Sequence, residues 1–396
     1  MPNGALYARD TLAAVLLVAF AALPGCGSNE GPAVQAELTS TVEFGEGIVA
    51  EIEPGVVRER DVDPPILWAS APRLELTIST GSTEPDPITL VLQNLPPDVG
   101  ATVQGAATIP SSDVPGCPDE SAQTIDCESS TEPACDAPDI SEVSGSASTV
   151  KELTADLPAC LRVTYELSLP TPPQRPLRVA VVGATSTLDR LERILTDIEG
   201  RNTASGDIDW VVLTGDHAEQ RNPESLDQLE STLTGRSVPL MVLRGETERL
   251  RNAQVSFRPR FGPISMQFSV GEAGITSFDS AARVLNGLSV EALNDRLEGA
   301  ASGPRIALTH TPLFDPDNLR DGGFRSELEA ARILAVLEQT GTSTLLAGHV
   351  PTRGRLQRGS VDIVAASAAA SPGYTLVSVS TTSGSDTPIV IERVNL

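Results

Sequence analysis

Along the first 170 residues, apolar side chains recur at every second position in short runs. RLELTIST (73–80), ITLVLQNL (88–95) and LRVTYELSL (161–169) each place alternate residues on one face, the period of a half-buried strand. Clusters of Pro, Gly and Asp separate these runs, so residues 37–170 are expected to form an all-β sandwich. The stretch TPPQRP (171–176) reads as a stiff linker, and after it the rhythm changes. LRVAVVG (177–183) has the pattern of a buried strand, and TLDRLERILTDIEG (187–200) that of a helix with Leu188, Leu191, Leu195 and Ile198 along one stripe. The alternation continues through the strand DWVVLTG, the helix ESLDQLESTL and the strands VPLMVLRG, GITSFDS, RIALTH and STLLAGH. Helices SVEALNDRL and SELEAARILAVLEQ lie between the later strands, and RLQRGSVDIVAAS, YTLVSVS and PIVIERVNL close the chain as strands. Residues 177–396 are therefore expected to be an α/β domain with helices covering its sheets.

Charge sharpens the division. The 396 residues carry a formal net charge of −25, which opposes contact with a phosphate backbone and excludes nucleic acid as a partner. Residues 27–170 hold 25 acidic and 5 basic side chains, whereas residues 171–396 hold 27 and 22. Two surfaces so different favour two domains. Aromatic residues make up 3% of the chain against 40% hydrophobic overall, so aliphatic side chains must fill both cores.

The N-terminus and the five cysteines bear on the compartment. MPNGALYARD followed by TLAAVLLVAFAALP has the polar start and short apolar stretch of a secretory signal. It ends in LPGC, which resembles the bacterial lipobox, whose cysteine is lipidated and becomes the mature N-terminus. The expected division is a lipoprotein signal over 1–25, then a lipid-anchored Cys26 and a polar tether (26–36), which places the protein at the bacterial cell envelope, periplasmic or surface-facing. Gly27, where an aspartate would favour the inner membrane, points to the outer membrane. An ordinary secretory signal with a chance cysteine is the alternative. Cys117, Cys127, Cys135 and Cys160 remain, and outside the cytoplasm they are expected as two disulfides whose pairing stays open. A zinc site is the rival, weakened by the lack of any Cys-x-x-Cys pair. Three of the four lie in residues 111–142, an insert with nine acidic and no basic side chains. That composition reads as a stapled, solvated surface loop rather than a calcium site. The strands around it have immunoglobulin or fibronectin type III character, and this acidic sandwich is a candidate surface for a cell-envelope partner.

The chain has only three histidines, and each follows an apolar run: His217 in VVLTGDHAEQ, His310 in RIALTHTPLF and His349 in LLAGHVPTRG. In α/β folds, ligands bind at loops beyond the carboxyl ends of strands. Each histidine alone also fits a satisfied structural role, and Asp216 alone fits a turn cap.

The ordered set of motifs resembles the calcineurin-like metallophosphoesterases. That family's strand-end signatures run Asp-x-His, Gly-Asp, Gly-Asn-His-Asp/Glu, a single His, then Gly-His-x-His. Here GATS, LTGDHAEQ, LRGETE, LTHTP and AGHVP follow in that order over residues 177–396. The resemblance implies a four-layer α/β/β/α sandwich and a two-metal site. Position by position, the first aspartate falls on Ala184, its histidine on Ser186, the catalytic histidine on Thr247 and the last histidine on Pro351. One ion would keep only Asp216. The other would keep Asp216, Glu246 (in place of the asparagine), His310 and His349, a nitrogen and oxygen set suited to zinc, manganese or iron(II). His217 is expected behind that set or at the surface, and Arg244, Arg325 and Arg353 are weak candidates for anion binding. The expectation is a cell-envelope lipoprotein whose phosphoesterase-like domain has lost one metal site, a pseudoenzyme with a binding or structural role that holds at most one divalent ion. The alternative is a weak single-metal phosphomonoesterase or phosphodiesterase, and with it a phosphate ester as ligand. The tyrosine ligand that marks purple acid phosphatases is absent near the Gly-Asp motif.

Overall fold

The computed structural model describes residues 40–396 apart from 45–46, 60–61, 84, 86, 111, 115, 119–122, 126, 128–134, 170–174, 186, 206–207, 220–221, 250–256, 286–289, 300–301, 317–321, 352, 367–371 and 382–387. The signal segment, Cys26, the tether, most of the 171–176 stretch and Ser186 lie outside the described residues.

The alternating runs become strands with one buried face. They are β1 (Thr41–Phe44), β2 (Ile48–Glu53), β3 (Gly55–Glu59), β4 (Ile66–Ala69), β5 (Leu74–Ser79) and β6 (Ile88–Gln93). Beyond them come β7 (Gly100–Thr108), β8 (Thr124–Ile125), β9 (Asp139–Glu142), β10 (Lys151–Ala155) and β11 (Leu161–Ser168). They form two sheets, ordered β1-β2-β5-β11-β7-β8 and β3-β4-β6-β10-β9. In β5, Leu74, Leu76 and Ile78 are buried and Glu75 is exposed. One core joins the two sheets, with Leu76, Val163 and Tyr165 from the first meeting Leu67, Leu90 and Leu153 from the second. The acidic insert is tied down by Cys117–Cys160 and Cys127–Cys135, which resolves the pairing the sequence left open.

The second half is mixed α/β. Its elements begin with β12 (Leu177–Val182), α1 (Leu188–Ser205), β13 (Trp210–Leu213), α2 (Pro223–Leu233), β14 (Leu240–Val242) and α3 (Arg258–Phe261). They continue with β15 (Gln267–Val270), β16 (Ala273–Ser277), α4 (Val290–Glu298), β17 (Arg305–Thr309), α5 (Glu327–Gln339) and β18 (Thr342–Ala347). The chain closes with β19 (Arg355–Arg358), β20 (Val361–Ala365), β21 (Gly373–Val379) and β22 (Ile389–Asn395). One sheet is ordered β14-β13-β12-β21-β22 and the other β15-β16-β17-β18-β20-β19. Val179, Val181 and Val212 of the first pack on Ile306, Leu308 and Leu346 of the second. The outer face of the first is covered by Leu191, Ile194, Leu195 and Ile198 of α1 and by Leu226 and Leu229 of α2. The outer face of the second is covered by Leu293 of α4 and Ile333 and Leu337 of α5. The layers therefore run helix, sheet, sheet, helix. The α1 stripe includes Ile194 in place of the half-buried Leu188. The pattern did not mark β15, whose buried positions are only Phe268 and Val270 in four residues. No helix among the described residues is long and apolar enough to cross a membrane.

Residues Glu37–Leu396 form one unit by contact: Val56 and Trp68 share a core with α1 and α2, and polar side chains add bonds between the two halves. The Asn94 amide donates to the carbonyls of Ala69 and Leu240 (2.6 Å each), and its oxygen accepts from Leu240 N at 2.6 Å, so a side chain pairs like backbone with β14. The guanidinium of Arg58 lies 3.5 Å over the Trp68 ring, donates to Thr234 Oγ1 at 2.8 Å and meets Glu230. Burial pushes its pKa down to about 10, opposed by Glu230 and Glu59, so it stays charged at neutral pH. Asn94→Asp is expected to lose about 3 kcal/mol in urea unfolding, since a buried carboxylate would face two carbonyls without the donors that satisfied them. A loss below about 1 kcal/mol would show that the amide is not what joins the sheets.

Candidate metal centre

Three loops at strand ends build the site. β13 is buried at all four positions and delivers Thr214-Gly215-Asp216 to the sheet's end. Gly215 lies at φ 89° and Asp216 at φ 60°. A Cβ on Gly215 would run into the backbone of Gly245, so only glycine lets the β13 and β14 loops touch. His310 follows β17 directly and Gly348-His349 follow β18, with His349 also left-handed at φ 59°. A Cβ on Gly348 would meet Thr214, so the facing sheets close on each other at this point.

Asp216, His310 and His349 converge, each offering one ligand atom, and these atoms all lie within 4.8 Å of one another. His310 Nε2 is 3.2 Å from Asp216 Oδ2 and 3.2 Å from His349 Nδ1, and His349 Nδ1 is 3.7 Å from Asp216 Oδ2. The two rings stand edge to face with centroids 5.0 Å apart. His310 Nδ1 is 2.7 Å from the carbonyl of Thr214. A carbonyl only accepts, so Nδ1 carries a proton and Nε2 of the neutral ring offers its lone pair to the cluster, the orientation metal-binding imidazoles take. Asp216 Oδ1 accepts from Thr247 N at 2.9 Å, which leaves Oδ2 turned toward the two imidazoles. The His310 side chain is fully buried, while Asp216 and His349 keep 17% and 14% of theirs exposed, so solvent reaches the cluster from one side.

Electrostatics in the cluster follow from this packing. Burial disfavours the Asp216 carboxylate, but the charge and hydrogen bond of His310, with hydrogen bonds from His349 and Thr247, outweigh it and hold its pKa well below the ordinary carboxylate value. Burial likewise opposes charge on His310, and Asp216 overrides it, raising that imidazole. A divalent cation would replace the shared proton as the countercharge.

The turn around Asp216 is organised by Glu248, which the sequence reading did not single out. Its carboxylate is buried and accepts from Asp216 N (2.9 Å), His217 N (2.7 Å), Ala218 N (2.9 Å) and Gly245 N (2.8 Å). It thus clamps the β13 and β14 loops together. The available signal was its place at the acidic fourth position of the Gly-Asn-His-Asp/Glu pattern.

The other sequence candidates divide. Glu246 is half-buried and is not among the three residues that converge. Ala184 is buried at the end of β12, and Pro351 is exposed. His217 is buried rather than at the surface: its Nδ1 lies 3.1 Å from Thr185 Oγ1, and its Nε2 has no hydrogen-bond partner among the described residues. Burial pushes its pKa down to about 4, with Asp216 pulling upward and His310 downward. Arg244 is spoken for by an ion pair with buried Asp279. Arg353 donates to Val394 O (2.9 Å) and Asn395 Oδ1 (2.8 Å), away from the cluster. The backbone of Arg325 donates to Arg283 O.

No family model matches the chain, and no curated protein matches it. Among solved structures, a dimetal phosphatase from Danio rerio is similar over 56% of this chain and 96% of its own, at 13% identity and a TM-score of 0.42. PhoD is similar over 82% of this chain and 87% of its own, at 9% identity and a TM-score of 0.43. The GAP50 anchor of the Plasmodium inner membrane complex is similar over 56% and 85%, at 13% identity and a TM-score of 0.41. The chemistry of the site rests on the distances given above and not on these values.

Proposed function

We propose that residues 177–396 are a degenerate calcineurin-like metallophosphoesterase domain that keeps one of two metal positions, in a lipoprotein held at the cell envelope through Cys26. Asp216, His310 and His349 hold one divalent transition metal, and the domain serves a binding or structural role. The observation that carries this reading is the convergence of His310 Nε2, His349 Nδ1 and Asp216 Oδ2, with His310 already turned by Thr214 O as a ligand. One carboxylate and two neutral imidazoles suit zinc, manganese or iron(II). A bound ion would supply Lewis acidity and a more acidic water. Ala184 and Pro351 offer no donor for a second ion, and Thr247 offers no proton donor of the imidazole kind, so turnover is not expected at family rates. The two disulfides support an extracytoplasmic setting.

A second reading, a weak single-metal phosphomonoesterase or phosphodiesterase, is favoured by the solvent-facing side of the cluster at Asp216 and His349. The acidic sandwich remains a candidate surface for an envelope partner.

The test is the metal content of the full chain after incubation with zinc, manganese or iron(II). About one equivalent is expected in the wild type and in Glu246→Ala, and none in His349→Ala, since losing one of three donors lowers affinity by at least roughly 100-fold. No metal in any of the three proteins would defeat the single-metal reading. Loss in Glu246→Ala would add that glutamate to the ligand set.

A further inference from the structure

We propose that the open edge of β7 takes an added strand from a partner, an extended segment that carries a basic residue opposite Thr102. This rests on the reading of the sandwich as a partner surface, and stands apart from the metal centre.

The β7 sequence, GATVQGAAT, holds no charged residue, and Gly100, Thr102 and Gln104 are exposed. The strand pairs along its length with β11 on one side, while on the other side β8 meets only Ala106 and Ala107. Two bonds at the start of β11 fix which way the backbone faces. Cys160 O accepts from Ile109 N and Leu161 O from Thr80 N, so the even-numbered residues of β11 turn toward β7. Glu166 and Ser168 therefore bond with their register partners Thr102 and Gly100, and the N–H and C=O groups of Ala101 and Val103 point away from β11. No strand among the described residues pairs with them. Unpaired backbone on an edge without charges is a template for a further strand. The glycines agree with this. Neither Gly100 nor Gly105 has a positive φ, and a Cβ on either would meet nothing within 4 Å, so this chain's own packing does not call for glycine there. Glycine inside a strand leaves room for another backbone to come close.

The adjoining face sets the chemistry of the partner. Glu53 of β2 lies directly opposite Glu75 of β5, and Glu75 lies opposite Glu166 of β11, which is itself opposite Thr102. Like charges in register repel. Arg73 pairs with Glu166 at 2.6 Å, and neither Glu53 nor Glu75 has an ion pair among the described residues. A residue opposite Thr102 on an added strand would stand two strand spacings, about 10 Å, from the β11 backbone. Only a threonine side chain lies between. An arginine or lysine there reaches the acidic row and offsets its repulsion, whereas an acidic residue adds to it.

The experiment uses the full chain and two short synthetic peptides of threonine and valine, one with a single central arginine and one with glutamate in its place. Amide hydrogen exchange of the chain is followed with and without each peptide. The arginine peptide should bind saturably, slow exchange at Ala101 and Val103, and bind at least about fivefold more tightly than the glutamate peptide. Ala101→Pro, which removes one outward N–H and no bond to β11, should abolish binding. Glu166→Gln should narrow the difference between the peptides. Protection of other sandwich residues, with Ala101 and Val103 unchanged in the wild type, would overturn the edge assignment and leave the sandwich as a partner surface. Equal affinity for the two peptides would overturn the basic partner. Self-association of the chain that Ala101→Pro removes would replace that partner with a second copy. No saturable binding by either peptide, or protection confined to residues 177–396, would remove both readings.

Discussion

Glu248→Ala should be the most damaging single change among the buried side chains of the site. It strips the acceptor from four backbone N–H groups at once, those of Asp216, His217, Ala218 and Gly245. A hydrogen bond to a charged group contributes about 1.5–3 kcal/mol, and a buried donor left unsatisfied costs about 1–3 kcal/mol. The four share one carboxylate and are not additive, so the expected loss is about 4 kcal/mol or more. Glu248→Gln keeps one acceptor oxygen but turns an amide NH2 toward two of the donors, and should lose about half as much. Urea unfolding of the metal-free proteins measures both. Metal content should fall in parallel, because the clamp sets where Asp216 stands. A Glu248→Ala protein within about 1 kcal/mol of wild type would show that solvent satisfies those donors.

His217 should make the metal-free protein sensitive to mild acid. Its pKa is about 4 in the folded chain, against an ordinary value of 6.5, chiefly because burial disfavours the imidazolium. Between those values the unfolded chain binds the proton and the folded chain does not. Stability therefore is fully present above pH 6.5 and falls as pH drops toward 4, by about 3 kcal/mol. Asp216, held below its ordinary value, would be lost only at lower pH. His310, whose pKa is raised, acts in the opposite sense, losing its contribution as pH rises. The comparison that isolates His217 is the difference between wild type and His217→Gln across pH 4–7, which should narrow toward acid as wild type loses its advantage. A difference constant with pH would mean that the buried ring is not the group titrating.

The parts of the fold that can be read along the chain are those set by local periodicity. The α1 and α5 stripes and the alternating faces of β5, β6 and β11 are fixed by which neighbours in sequence are apolar, so they survive without knowledge of tertiary structure. Asp216, His310 and His349 each end an apolar run and alone fit a structural role; it is their joint order in the phosphoesterase-like set of motifs that marks them as candidates. Glu246 and Glu248 show the limit. Two residues apart in one loop, they are chemically identical, and only the meeting of the β13 and β14 loops decides that Glu248 faces inward onto four N–H groups while Glu246 stays outside the cluster. Asn94 is illegible for the same reason: its partners are Ala69 and Leu240, 25 and 146 residues away. Disulfide pairing likewise depends on which strands meet.

Asp216 and His349 both sit in the left-handed backbone region, at 60° and 59°. For a side chain other than glycine this conformation costs on the order of 1 kcal/mol. The surrounding contacts hold it, so two of the three donors are fixed in place before any ligand arrives. Little ordering remains for an incoming ion to impose, and its affinity is not diminished by rearranging the chain. Glycine at either position would relax the turn but erase a donor, and at Asp216 it would also leave the Thr247 N–H without its acceptor. At Asp216 the same carboxylate therefore holds the turn together and presents the oxygen an ion would take.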